Sequence, residues 1–208
     1  MSFTRDLERI KDILVRMSIL TKESVDRVNA LFSTTDDPES RKKIWNEVNE
    51  ISMILDNLRK ELVMEVLMFI ARKQPLGLEL REAQIIISIA YDMYRISRYC
   101  REIARIDMLM MPESNISKIR NMHAVFNLAR KAVEAVIKDL EELKPVNKDI
   151  ISDIDNAVDE EYGKVLREIT MNENVNREIA CKALLMRHIE RIVDHVDYIE
   201  QYLNELQS

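Results

Sequence analysis

The apolar residues of this chain recur at alternating spacings of three and four over nearly its whole length. One such series is Ile44, Val48, Ile51, Leu55, Leu58 and Leu62. Another series extends over residues 119–143. This spacing places apolar side chains on one face of an α-helix, whereas a half-buried strand requires a period of two. No segment alternates with period two for long enough to predict a strand, so the predicted fold class is all-α.

Four prolines separate the apolar series: Pro38, Pro75, Pro112 and Pro145. Proline is tolerated in the first turn of a helix but disrupts its interior. Asp37 is placed to cap the helix that Pro38 begins. A fifth break, MNENVN at 171–176, has no proline but is rich in turn-forming residues. Five breaks give six long helices, and short connections make consecutive helices antiparallel.

The chain contains the same helical pattern twice. The apolar series Ile89, Met93, Ile96, Cys100 and Ile103 returns ninety-six residues later as Leu185, Ile189, Ile192, Val196 and Ile199. The dipeptide Arg95-Ile96 returns as Arg191-Ile192. We therefore predict two tandem three-helix bundles related by a pseudo-repeat, the first over residues 1–111 and the second over 112–208. The apolar series of the last helix should be buried.

The composition excludes several classes of protein. With a net charge of −6, the chain lacks the basic face that nucleic acids require. The start MSFTRDLERI does not resemble a signal peptide, and no apolar run reaches the length of a membrane span. Cys100 and Cys181 are far apart and predict no CxxC pair or disulfide framework. We expect a soluble cytoplasmic protein.

The sequence contains no recognisable catalytic arrangement. Its two glycines, Gly77 and Gly163, are too few for a P-loop, a dinucleotide-binding fingerprint or a nucleophile elbow. No Cys/His or Ser/His/Asp set is suggested either. We therefore predict that the protein is not an enzyme.

The last predicted helix carries a group of carboxylates. Glu190, Asp194 and Asp197 lie within about 60° of one another and roughly 110–170° from the centre of the apolar stripe. We expect an outward-facing acidic ridge, with Asp159 of the preceding helix as a further ligand. Carboxylate oxygens suit Mg²⁺, Ca²⁺, Mn²⁺ or iron, and a cation would relieve the repulsion between Glu190 and Asp194. The alternative is a solvated charge lattice that includes Arg191.

Two segments resemble the signature of the PhoU family of phosphate-signalling proteins. The first is ARKQPLGLELRE at 71–82, which is followed by Asp92. The family phrase runs Arg-Gln-Pro, a short spacer, Leu-Arg and then Asp-Leu-Glu-Arg-Ile-Gly-Asp. The second segment, HIERIVDHVDYIE at 188–200, is similar to the other copy of that phrase. The resemblance implies a six-helix fold with two repeats.

The acidic pattern of the family, Glu/Asp-x-x-x-Asp, is present in only one copy. It is kept as Glu190 and Asp194, whereas Tyr94 and Arg98 stand at the matching positions of the first copy. In this family the pattern is associated with metal, in some members with multinuclear iron. The resemblance therefore implies a metal site in the second repeat only.

The resemblance also implies a function. Family members are negative regulators of phosphate uptake and of intracellular phosphate homeostasis that act by protein contact. The implied partners are the ATPase subunit of a phosphate importer and a phosphate sensor histidine kinase, and a homodimer is expected. The alternative is a helical-bundle adaptor for another membrane transporter or an ion channel.

Overall fold

The computed structural model describes residues 5–33, 37–110, 122–171 and 174–207 of the chain. These residues form the helices α1 (Arg5–Ser33), α2 (Pro38–Lys73), α3 (Leu78–Met110), α4 (His123–Glu142), α5 (Lys148–Met171) and α6 (Arg177–Glu205). The described ranges contain no β-strand. The prediction of an all-α protein with six helices is confirmed.

The connections between helices fall at the predicted breaks. Pro38 is the first residue of α2, and the Asp37 carboxylate accepts hydrogen bonds from backbone N–H groups of the first turn. Pro75 follows the end of α2, and Pro145 lies between α4 and α5. Pro112 lies outside the described residues. Residues that disfavour a helix interior thus mark the helix ends, as their backbone chemistry requires.

The six helices share one core. The helices α1, α2 and α3 pack on one another, and so do α4, α5 and α6. In addition, α3 packs against α6 and α1 against α4, so buried apolar side chains from all six helices form a continuous cluster. The four side chains predicted to be buried on the last helix are at most 2 % exposed: Leu185, Ile189, Ile192 and Val196. None of the described helices includes an apolar segment of the length that a lipid bilayer requires.

The helices α3 and α6 run antiparallel along the junction between the two halves of the chain. Near one end, the Arg81 guanidinium lies 3.3 Å from the Glu205 carboxylate. Near the other end, Arg177 donates a 2.9 Å hydrogen bond to the carbonyl oxygen of Leu109. The division of the chain at residue 111 into two separate repeats stays a prediction.

The centre of this junction has approximate twofold symmetry. His195 Nδ1 lies 2.6 Å from Asp92 Oδ1, and the ring centroids of Tyr99 and His188 are 5.8 Å apart. The offset of ninety-six residues makes Asp92 equivalent to His188 and Tyr99 equivalent to His195. The two contacts therefore join equivalent pairs of positions, which indicates a pseudo-twofold axis between α3 and α6.

Candidate functional site between α5 and α6

The acidic residues predicted as metal ligands lie where α5 packs along α6. Glu190, Asp194 and Asp197 belong to α6, and Asp159 belongs to α5. Burial raises the pKa of Glu190 and of Asp194, and the nearby negative charge of Asp159 raises both further. The fold therefore brings the α5 carboxylate into electrostatic contact with those of α6.

The sequence reasoning missed one member of this acidic site, Asp155, which lies one helical turn before Asp159. Burial raises the pKa of Asp155 to about 6, and the charges of Asp159, Asp197 and Asp194 contribute in that order. Carboxylates raise one another's pKa in this way when no cation compensates them. The i,i+4 spacing of Asp155 and Asp159 was the available signal in the sequence.

The expectation of an outward-facing ridge is wrong for Glu190. Its side chain is buried, with 8 % of the residue exposed, and Asp194 and Asp197 are half-buried, whereas Asp159 is exposed. The apolar stripe marks only part of the covered surface of α6, because α3, α4 and α5 all pack against this helix. The acidic site is therefore partly enclosed, which strengthens charge interactions within it.

Arg191 compensates part of the negative charge. Its Nη1 donates a 2.6 Å hydrogen bond to Asp194 Oδ2. Its Nε lies 3.2 Å from Glu190 Oε2, but not in a direction that makes a hydrogen bond, so this buried oxygen accepts no hydrogen bond from the described residues. The charge-lattice alternative is thus realised in part. Arg187 also acts on Glu190, but the carboxylates of the site outnumber the two guanidinium groups, so the site stays negative.

The donor set of the acidic site suits a hard cation, although it is not preassembled. Every candidate ligand is a carboxylate, which is the group preferred by Mg²⁺, Ca²⁺, Mn²⁺ and iron. Within the described ranges, no three Asp, Glu, His or Cys side chains already converge as a metal-binding group. Side-chain rotations would have to bring the oxygens together around an ion. The buried Oε2 of Glu190, which makes an ion pair with Arg191 but accepts no hydrogen bond from the described residues, is the feature that best fits such an ion.

The corresponding face of α3 does not repeat the acidic site. Tyr94 and Arg98 stand at the matching positions, and Arg98 Nη1 lies 3.3 Å from the Tyr94 hydroxyl. Asp92, the carboxylate that remains in the first copy, is 3 % exposed and contacts His195 across the junction with α6. Asp92 therefore belongs to the contact between the halves and not to a metal site.

A further buried acidic pair, Glu200 of α6 and Asp139 of α4, was also missed. Each residue is 1 % exposed. Asp139 accepts hydrogen bonds from the backbone nitrogen of Asn147 (2.8 Å) and from its side-chain amide (2.6 Å). No donor of the described residues reaches either carboxyl oxygen of Glu200, and burial together with Asp139 raises the pKa of Glu200 to about 8. The position of Glu200, four residues after Val196 of the apolar stripe, could have indicated a buried acid.

Comparison with known proteins gives consistent matches. Residues 14–106 match the family model described as the PhoU domain. A phosphate-specific transport system accessory protein PhoU homolog from Synechocystis sp. is 24 % identical over 203 residues, which cover 96 % of this chain and 88 % of the relative. The homolog from Archaeoglobus fulgidus is 29 % identical over 153 residues, with 74 % and 71 % covered.

Solved structures share the fold. The crystal structure of PhoU from Pseudomonas aeruginosa superposes with a TM-score of 0.80 at 21 % identity, and 97 % of each chain is covered. The phosphate transport system regulatory protein PhoU from Streptococcus pneumoniae gives a TM-score of 0.78 at 16 % identity, with 97 % of this chain and 94 % of that chain covered. The arrangement of the six helices is therefore that of these proteins.

Proposed function

We propose that this chain is a member of the PhoU family, whose domain model matches residues 14–106, and that it regulates phosphate uptake by contacting other proteins. The observation that carries the proposal is the match to relatives named as accessory proteins of the phosphate-specific transport system, which extends over 96 % of the chain. In this role the protein restrains the importer when phosphate is sufficient and so maintains intracellular phosphate homeostasis.

The proposed partner is the ATPase subunit of a phosphate importer, which the protein would contact on the cytoplasmic side of the membrane. A phosphate sensor histidine kinase is a further proposed partner. The test is affinity purification of the tagged full chain from its own cells at high phosphate, followed by mass spectrometry. We expect the importer ATPase to be enriched over a purification with the tag alone. Subunits of another transporter or of an ion channel in its place would favour the adaptor alternative.

Action by contact also predicts that the acidic site does not turn over a substrate. Glu190→Ala removes the buried carboxylate of that site and should change no hydrolytic activity of the purified protein. If no transporter component is recovered and Glu190→Ala abolishes a measured hydrolase activity, the regulatory proposal is wrong and the protein is an enzyme.

We further propose that the acidic site between α5 and α6 binds one hard cation, either iron or a divalent ion such as Mg²⁺, Mn²⁺ or Ca²⁺. Glu190, Asp194 and Asp159 would supply oxygens, with Asp197 and Asp155 near enough to contribute. Support comes from the pKa values of Glu190, Asp194 and Asp155, which burial raises and neighbouring carboxylates raise further, because a bound cation would remove that repulsion.

The test of the cation proposal is anomalous scattering from crystals grown with Mn²⁺ or iron, together with calorimetric titration of Mn²⁺. Asp194→Asn should weaken binding by at least about tenfold, since it removes one charged ligand. Asp153→Asn is the matched control, because Asp153 is an exposed carboxylate of α5 outside the acidic site. Anomalous density beside Tyr94 and Arg98, or none beside Glu190 at saturating metal, would contradict the proposal.

We also propose that the protein forms a homodimer, since the resemblance implies self-association. Light scattering over a range of protein concentrations tests this state. The expected result is a mass that rises toward twice that of the chain, and a monomer at the highest concentrations would overturn the proposal.

A further inference from the structure

The first half of the molecule contains a positively charged counterpart of the acidic site. The offset of ninety-six residues between α3 and α6 places Tyr94, Arg98 and Arg101 at the positions of the three α6 carboxylates of that site. The helix α2 packs along α3 there, as α5 packs along α6. The two halves thus present opposite charges at equivalent places.

A cleft of about 260 Å³ lies between α2 and α3 at this place. Its lining residues are Ser52, Met53, Asp56, Asn57, Tyr94 and Arg101. The cleft is smaller than the pockets that hold drug-sized ligands, so it suits a group of few heavy atoms. Apart from Asp56 and Met53, the lining side chains can all donate hydrogen bonds.

Arg98 reaches the cleft through its hydrogen bond to the lining residue Tyr94. Within the described part of the chain it makes no ion pair, and Nη1 donates to the Tyr94 hydroxyl at 3.3 Å. Its buried Nε donates no hydrogen bond to any atom of the described ranges. Because the Tyr94 oxygen accepts from Arg98, its own O–H remains able to donate to a ligand.

The carboxylate of the cleft is already neutralised. Asp56 lies 2.8 Å from Arg59 and 2.6 Å from Lys60. The hydrogen bond from Lys60, together with Arg59, lowers the pKa of Asp56. The Arg59 guanidinium also lies over the Tyr94 ring, 5.2 Å from its centroid. Asp56 is therefore shared between two cations, and it acts on Arg98 only from beyond ion-pair distance.

The other nearby carboxylate is shared in the same way. Glu102 lies 3.3 Å from Arg101 and 2.8 Å from Arg105. Each of the two carboxylates near Arg98 therefore already forms ion pairs with two other cations, and Arg98 is a further positive charge. A positive surplus remains at this face of a chain whose net charge is −6.

We propose that the cleft between α2 and α3 binds a phosphate group, either as inorganic phosphate or as part of a small phosphomonoester. Guanidinium groups match the oxygens of a tetrahedral dianion, and charge-assisted hydrogen bonds of this kind are strong. Arg101 lines the cleft, and Arg98, which donates to the Tyr94 hydroxyl, adds positive charge beside it. The hydroxyl of Tyr94 and the amide of Asn57 supply neutral donors. The proposal depends on the charges of the first half alone and does not require the proposed transport role.

The test is an NMR titration of the full chain with inorganic phosphate at constant ionic strength, since added salt alone screens surface charges. A parallel titration uses glycerol phosphate, and acetate is the planar, singly charged comparison. We expect saturable shifts of α2 and α3 amides with phosphate, and none with acetate. Tighter binding of glycerol phosphate would identify a phosphomonoester as the ligand. Tighter binding of inorganic phosphate would identify the free phosphate ion as the ligand.

Amino-acid substitutions distinguish binding at this cleft from a general effect of net charge on anion affinity. Arg98→Gln should weaken phosphate binding by at least about tenfold, because it removes a charged donor. Arg167→Gln removes the same charge from the exposed surface of α5 and should leave the affinity within about twofold. Tyr94→Phe keeps the ring under Arg59 and should weaken binding by about threefold or more through loss of the hydroxyl.

Three results would overturn the proposal. The first is the absence of saturable shifts in α2 and α3 at any phosphate concentration reached. The second is equal binding of acetate. The third is equal weakening by the Arg98 and Arg167 variants, which would show that the anion responds to net charge only. If Arg98→Gln does not fold, the Tyr94→Phe affinity decides the outcome.

Discussion

Glu200 is a buried carboxyl group whose substitution gives the sharpest test of the second half of the core. It is 1 % exposed, and no donor of the described residues contacts its two oxygens. Its neighbours are the carboxylates of Asp139 and Asp197, and the ammonium group of Lys148 opposes them. Glu200→Gln keeps the shape of the side chain, removes the ionisable group and supplies an amide N–H that can donate to Asp139.

The size of the effect follows from the pKa of Glu200, which burial and Asp139 raise from the ordinary value of 4.5 to about 8. Between these two pH values the folded protein keeps a proton that the unfolded chain releases. The free energy of unfolding therefore falls as pH rises through this window, and the loss is complete above about pH 8. At about 1.4 kcal/mol for each pKa unit, the upper bound is about 5 kcal/mol. Water entry around the ionised group reduces this bound, so we expect roughly 2–4 kcal/mol.

The assay is urea denaturation followed by circular dichroism from about pH 5 to about pH 9, with a chelator present so that metal does not contribute. Asp155, whose pKa burial raises to about 6, also titrates in this range, so the informative quantity is the difference between Glu200→Gln and the parent protein. We expect nearly equal stabilities at about pH 5 and a variant more stable by roughly 2–4 kcal/mol at about pH 9. Glu142→Gln, at an exposed position of α4, is the control and should show no such divergence. A constant difference across the range, or a less stable Glu200→Gln at high pH, would refute the reasoning.

Three other substitutions test the core and the junction by urea denaturation. Ile192→Ala empties a fully buried position of α6 and should cost roughly 2–5 kcal/mol, and a cost below about 1 kcal/mol would contradict its place in the core. Arg41→Ala leaves the buried Asp107 without its ion-pair partner and should cost roughly 3–5 kcal/mol, whereas Arg41→Met combined with Asp107→Leu should recover most of that loss. An equally unstable double variant would show that packing, and not the lone charge, dominates. Asp92→Ala removes the acceptor of His195 Nδ1 and should cost about 1–3 kcal/mol, and an unchanged stability would argue against a hydrogen bond between the halves.

The helical fold could be predicted because the signals that determine it are local. The spacing of three and four reports the periodicity of a single helix, and the backbone of Pro38, Pro75 and Pro145 limits where a helix can continue. The equivalence of the two copies could also be read from a fixed offset in the apolar series. Short connections then leave few ways to bury the stripes, so the six-helix arrangement follows with little further information.

The candidate site was only partly predictable from the sequence. Spacing grouped the carboxylates of α6, and the charge of Asp159 acts on Glu190 and Asp194. That these residues bind a metal stays a prediction. Asp155 was missed because its contribution depends on how α5 is rotated against α6. The same limit applies to Arg98, whose lack of a carboxylate partner is visible only once Asp56 is seen to pair with other cations.

The sequence by itself determined the helices, their breaks, the buried apolar stripe and the loss of carboxylates from the first copy. Only the tertiary structure decided which polar side chains are enclosed. Glu190 is buried, Asp92 contacts His195, and Glu200 lies beside Asp139. The physical reason is that helix periodicity depends on residues three or four apart. The burial and pKa of a carboxyl group depend instead on neighbours that are distant in sequence. For the carboxyl groups of α6, these neighbours belong to α3, α4 and α5, which pack against it.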